Sequence, residues 1–80
     1  MNTTHLTEQA FDFDLALDGV HELVTPLEDA LFEAGCDDAT LSAQAGRVTL
    51  HFTRTAPSFD DAVRSALRDV EKARLNARLA

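Results

Sequence analysis

The chain has 80 residues and a formal net charge of −7, and its charges are unevenly distributed. Residues 1–46 contain ten Asp and Glu and no Lys or Arg, whereas all seven basic residues lie at or after Arg47. A surface of one sign repels ligands of the same sign, so the first half is expected to avoid phosphate and to attract cationic partners. Direct binding to nucleic acid or to anionic membranes is therefore disfavoured.

The composition predicts one small globular domain spanning residues 1–80. Hydrophobic residues make up 45% of the chain, which is too many for a disordered acidic tail. The single Cys36 has no partner for an internal disulfide, and the first ten residues do not resemble a signal peptide. No apolar stretch approaches the roughly 20 residues that a membrane span requires. We therefore expect a cytoplasmic protein.

The first predicted element is a strand over residues 11–17. Its apolar residues alternate with polar ones, so one face carries Phe11, Phe13, Leu15 and Leu17. Asp12 and Asp14 face the other way. A turn is expected at Asp18 and Gly19, followed by a loop over residues 20–24. Residues 1–10 are expected to be flexible.

A helix is predicted next, because Thr25, Pro26 and Glu28 form a typical helix start with a capping hydroxyl and an early proline. Gly35 ends this helix in a left-handed conformation. The apolar residues recur at helical spacing, and the buried stripe they form is Leu27, Ala30, Leu31 and Ala34. Glu28, Asp29 and Glu33 remain on the solvent side.

Two alternating runs around Gly46 predict a β-hairpin, and a second helix follows it. Pro57 ends the hairpin and Ser58 caps the helix, with Asp60 and Asp61 in its first turn. The buried stripe of this helix is Ala62, Val63, Ala66, Leu67 and Val70. Residues 74–80 are expected either to extend this helix or to be its frayed end.

The order of elements, βαββα, predicts an α+β fold that is half of a ferredoxin-like domain. We expect a three-stranded antiparallel sheet in the order 1-3-2, with both helices on one face. The first strand then lies at an open edge of the sheet. Its unpaired backbone groups and long apolar row make it a candidate edge for a homodimer.

Three sequence segments carry a resemblance to a known family. They read L-E-D-A-L-F-E-A-G-C-D-D-A from Leu27 to Ala39, G-R-V-T-L-H-F-T-R from Gly46, and A-P-S-F-D-D-A-V-R-S-A-L-R-D-V-E-K-A from Ala56 to Ala73. Through them the chain from Phe11 to Ala73 resembles a family of small uncharacterised bacterial proteins, in which this module precedes a helix-turn-helix. The resemblance implies a DNA-binding regulator or an antitoxin-like protein. The sequence ends at Ala80, where the helix-turn-helix would begin, so the DNA-binding role is not expected of these residues.

As a short, acidic, stand-alone domain the chain is also similar in size and composition to phage anti-CRISPR proteins, especially inhibitors of type I effector complexes. This second resemblance is one of class, since no motif supports it. It implies a phage-encoded protein that acts in the host cytoplasm.

The residues that could take part in catalysis or metal binding are interpreted more simply as surface side chains. Asp12 and Asp14 on an exposed sheet face are expected to be solvated, because acid/base catalysis needs a cleft that separates their pKa values. His51 is expected opposite Asp12 or Asp14 as a surface contact between strands. No spacing indicates a nucleophilic triad, a phosphate loop or a metal site. We expect no enzymatic activity, no metal and no cofactor.

The basic stripe of the second helix has two interpretations. Arg64, Arg68 and Lys72 could contact phosphate, but the interleaved Asp69 and Glu71 and the negative net charge favour a solvated helix face.

The leading hypothesis is a non-enzymatic acidic interaction protein. It would act as a DNA mimic that occupies a basic nucleic-acid-binding surface, such as that of a CRISPR effector complex, and blocks target DNA binding. The alternative is a regulatory or antitoxin-like dimerisation module that lacks its helix-turn-helix. The carboxylates expected to contact the partner are Asp12, Asp14, Asp18, Glu22, Glu28, Asp29, Glu33, Asp37 and Asp38.

Overall fold

Four strands and two helices follow one another in the computed structural model, which describes residues 8–80. They are β1 (Gln9–Asp18), α1 (Thr25–Ala34), β2 (Ala39–Gln44), β3 (Arg47–Ala56), α2 (Phe59–Lys72) and β4 (Asn76–Leu79). The α+β class is therefore confirmed. Of the segment 1–10 that was predicted to be flexible, residues 9 and 10 belong to β1, and residues 1–7 lie outside the described part.

The four strands form one antiparallel sheet in the order β2-β3-β1-β4. β1 and β3 are the central strands, and Phe13 lies opposite Phe52 in their register. The connections repeat a β-α-β unit twice, which is the ferredoxin-like arrangement. The half-domain predicted from the sequence is thus completed by a fourth strand.

The predictions of a frayed helix end at residues 74–80 and of a sheet with only three strands are wrong, although the first three strands keep the predicted order 1-3-2. The helix ends at Lys72, and Arg74 adopts a positive φ of 64°, which turns the chain back toward the sheet. β4 then pairs with the end of β1, from Leu15 opposite Leu79 to Asp18 opposite Asn76. β1 is therefore not an edge strand over residues 15–18.

The core lies between the sheet and the helices. Alternate residues of the two central strands, among them Leu15 and Leu50, point to the same face and are fully buried there. Leu31 of α1 and Ala66 of α2 belong to the same buried cluster, so both helices cover this inner face. The outer face of the sheet has no layer of its own within residues 8–80 and is exposed.

The two helices begin differently. Ser58 caps α2 as predicted, since its Oγ accepts a hydrogen bond from the Asp61 N–H at 3.1 Å. α1 includes Thr25, and Val24 occupies the cap position without a side-chain bond, which corrects the expected threonine cap. The Val24 carbonyl accepts from the N–H of Leu27 and of Glu28, so the first turn closes one residue earlier than expected.

Candidate protein-interaction surface

An open groove of about 380 Å³ lies between α1 and the edge strand β2. Its apolar floor includes Leu23, Ala39 and Leu41, and its rim carries carboxylates. We call it the acidic groove; it is lined by Leu23, Glu28, Asp29, Phe32, Cys36, Asp37, Ala39 and Leu41.

The helical period explains why these side chains share one side of α1. Leu27 and Leu31 turn toward the core, and Glu28 and Asp29 stand four and three residues before Phe32, so the three project together. Phe32 is 65% exposed, which is unusual for a large aromatic side chain in a small domain. The groove therefore combines an accessible aromatic ring with two carboxylates from the same helix.

Charge in the acidic groove is uncompensated. Among residues 8–80, no basic side chain lies within 4.0 Å of a carboxylate oxygen of Glu28, Asp29 or Asp37. The chain itself explains this, because no Lys or Arg occurs before Arg47 and the groove is built from residues 23–41. A cationic ligand would meet three carboxylates around an apolar floor.

Two more of the predicted carboxylates lie on the opposite layer of the molecule. Asp12 and Asp14 project from β1 onto the outer face of the sheet, away from the helices. Asp12 accepts a hydrogen bond from the hydroxyl of Thr53 at 2.7 Å, and Asp14 contacts His51 at 2.5 Å. The predicted pairing of His51 with one of these aspartates is confirmed by the register of β1 and β3.

Three further predicted residues are dispersed. Asp18 lies 3.7 Å from Arg78 Nε at the end of the sheet, and Glu22 is exposed in the loop before α1. Glu33 borders a separate depression together with Lys72 and Arg74. The nine carboxylates therefore do not form one surface, and three of them line the acidic groove.

Asp38 belongs to a partly buried ion network instead. Arg54 donates to both of its oxygens, at 2.8 and 2.9 Å, and also to Asp69 Oδ2 at 3.0 Å and to the Gly35 carbonyl at 3.0 Å. The hydrogen bond from Arg54 holds the pKa of Asp38 below its usual value. Asp38 is therefore less available to an outside partner than the groove carboxylates are.

Cys36 forms part of the groove floor but is itself only 2% exposed. Burial, followed by the nearby Asp69 carboxylate, raises the pKa of its thiol to about 11. A protonated, enclosed thiol is a packing residue rather than a nucleophile.

Sequence reasoning missed two features of this surface. Phe32 falls outside the apolar stripe of α1, and that position already indicated an exposed ring beside Glu28 and Asp29. Arg54 lies on the inner parity of β3 with Phe52 and Ala56, so its inward direction could have been read from the alternation. Its partners could not be predicted in this way, since Asp38 and Asp69 are distant from Arg54 in sequence.

Within residues 8–80 no three His, Cys, Asp or Glu side chains are grouped as metal ligands. In the same residues, neither helix has the length and apolar character needed to cross a bilayer. Comparison with protein-family models, with curated proteins and with solved structures found no match. The family resemblance and the anti-CRISPR resemblance therefore stay predictions.

Proposed function

We propose that the chain is an acidic interaction protein that binds a basic segment of another protein through the acidic groove. The observation that supports this best is the set of three carboxylates, unpaired within residues 8–80, around the exposed Phe32 ring. Carboxylates steer a cationic partner during encounter. An aromatic side chain that becomes buried when the partner binds then supplies most of the affinity.

The expected consequence of binding is competition with nucleic acid. A protein segment rich in Lys and Arg is usually a phosphate-binding surface, and an anionic protein that occupies it excludes DNA or RNA. The concrete form of this proposal is a phage inhibitor of a type I CRISPR effector complex. The net charge of −7 supports the more general proposal that the protein competes with nucleic acid for a basic surface.

The test is a DNA-displacement assay with a guide-loaded type I effector complex and labelled target DNA. The parent protein should reduce DNA binding, and less so at high salt, since ionic steering is screened. Reversal of the groove charges in E28K/D29K/D37K should abolish the effect. Asp12→Lys, a single charge reversal on the opposite layer, is the control for each single groove reversal and should inhibit like the parent.

Unchanged DNA binding with the parent protein would contradict the CRISPR form of the proposal. Equal inhibition by the triple variant would contradict the role of the groove. Loss of inhibition in Asp12→Lys would show that the outer sheet face takes part in binding the partner.

A dimerisation module is the second candidate, and the free part of the β1 edge favours it. Within residues 8–80, no strand pairs with residues 9–13 on the side where β4 covers residues 15–18. Phe59 and Leu79, 41% and 47% exposed, line a depression between α2 and β4 on that side of the sheet. Sedimentation equilibrium tests this: a dimer that Phe59→Asp converts to monomer supports it, and a monomeric parent contradicts it.

A further inference from the structure

Three polar side chains form a row across the outer face of the sheet. His51 of β3 lies opposite Asp14 of β1, and Ser42 of β2 lies one diagonal step away, since its own register partner is Thr49. His51 Nδ1 is 2.5 Å from Asp14 Oδ1, and its Nε2 is 3.2 Å from Ser42 Oγ. The serine, the histidine and the aspartate thus lie side by side on three adjacent strands.

Each ring nitrogen of His51 has a different hydrogen-bond partner. An ionised carboxylate only accepts hydrogen bonds, so the Nδ1–H of His51 donates to Asp14. In the neutral ring, Nε2 is then the unprotonated nitrogen and accepts the hydroxyl proton of Ser42. This connectivity, with aspartate on Nδ1 and serine on Nε2, is the one that activates serine in hydrolases of unrelated folds.

The row borders a depression that could hold a small molecule. About 500 Å³ of open space lies over Asp14, Ser42 and His51, and Arg47 and Gln44 also line it. Both of the latter side chains carry N–H donors, and the guanidinium is a permanent positive charge. Both line the same depression as Ser42, and donors of this kind stabilise an oxyanion when they point at it.

We propose that Ser42 is a nucleophile that accepts an acyl group from small carboxylic esters. Its oxygen bonds to the ester carbonyl carbon while its proton passes to His51 Nε2. The C–O bond to the alcohol then breaks, and His51 returns the proton to the departing alcohol. A water molecule, deprotonated by the same nitrogen, releases the acid and restores Ser42. Asp14 is a positioning residue that fixes the imidazole. This site lies on the layer opposite the acidic groove and is independent of it.

The test uses the whole chain, a fluorophosphonate probe and peptide mapping by mass spectrometry. Displacement of fluoride by Ser42 leaves a stable phosphonate on that residue. We expect an adduct at Ser42 and none at Ser58, a second exposed serine that caps α2. The adduct should be absent in Ser42→Ala, and its rate of formation should fall about a hundredfold in His51→Gln, which removes the base.

Turnover is measured with p-nitrophenyl acetate. Asp14→Asn should slow hydrolysis at least tenfold while its thermal unfolding midpoint stays close to that of the parent. Asp12→Asn, on the same strand and the same face, is the matched control and should leave the rate unchanged. Absence of a Ser42 adduct, equal labelling of Ser58, or hydrolysis that persists in Ser42→Ala would each overturn the proposal.

Discussion

Arg54 and Asp38 form a two-point ion pair, with Nε donating to Oδ2 at 2.8 Å and Nη2 to Oδ1 at 2.9 Å. The side chain of Arg54 is only 11% exposed, and its guanidinium lies 5.0 Å from the centre of the Phe52 ring. Its remaining bonds reach the end of α1 at Gly35 and the side of α2 at Ser65 and Asp69. One side chain of β3 therefore links the sheet to both helices.

Removal of Arg54 should destabilise the domain strongly. Arg54→Ala leaves Asp38 and the mostly buried Asp69 without their common cation, and we expect the free energy of unfolding to fall by roughly 2–4 kcal/mol. Arg64→Ala, on the exposed face of α2, should change it by less than about 0.5 kcal/mol. Urea unfolding monitored by circular dichroism gives both values. A similar small effect for both variants would contradict the role assigned to Arg54.

The same pair predicts a pH dependence of stability. Because Arg54 lowers the pKa of Asp38 in the folded state, its stabilisation is fully present above the ordinary carboxyl value of 3.8 and is lost as the pH falls through the lowered value. The difference in unfolding free energy between the parent and Asp38→Asn should therefore be largest near neutral pH and should shrink below that value. A difference that stays constant down to pH 2 would exclude this linkage.

Gly35 should not tolerate a side chain. Its φ of 113° is unfavourable for other residues, and an added Cβ would lie 2.9 Å from Asp69 Oδ2, within the Arg54 network. Gly19→Ala also places a side chain at positive φ, here 75° and in open space, and should cost about 1 kcal/mol. Gly35→Ala should cost roughly 2–4 kcal/mol, because displacement of Asp69 is added to the backbone strain. Thermal unfolding of the two variants measures the difference, and equal costs would show that Asp69 moves freely.

Cys36 should react with thiol reagents after unfolding and hardly before. A pKa of about 11, against an ordinary 9.0, reduces the thiolate fraction at pH 8 about a hundredfold, and burial hinders access further. The rate of reaction with Ellman's reagent in buffer, compared with the rate in 6 M urea, tests this. Fast labelling of the native protein would mean that the groove floor opens readily.

The central strands and both helices could be predicted because each has its own periodicity. Leu15 and Leu50 lie in clear alternation, and Ser58 and Gly35 are strong helix boundary signals. β4 could not be read in the same way, since Ala73 to Ala80 are only eight residues in which Leu75 and Leu79 also fit helical spacing. Its identity depends on pairing with β1, which is a tertiary interaction.

The candidate surface was predicted less well than the fold. The sequence shows that the first half is anionic, but local patterns do not show which layer each carboxylate joins. Asp14 lies on the outer face of the sheet opposite His51, whereas Asp38 forms an ion pair with Arg54, which points inward. The register of β2 and β3 brings Ser42 close to His51, and neither residue's local sequence pattern indicates this contact.

Binding of a basic segment in the acidic groove is tested by an NMR titration of the ¹⁵N-labelled protein with an arginine-rich peptide that carries one leucine. Chemical-shift changes should be confined to the acidic groove, and the affinity should fall with added salt. Phe32→Ala should weaken binding at least tenfold, since an aromatic anchor contributes about 2 kcal/mol, whereas Asp12→Lys should have little effect. Shifts centred on the outer sheet face, or binding that does not depend on Phe32, would show that the acidic groove is not the binding surface.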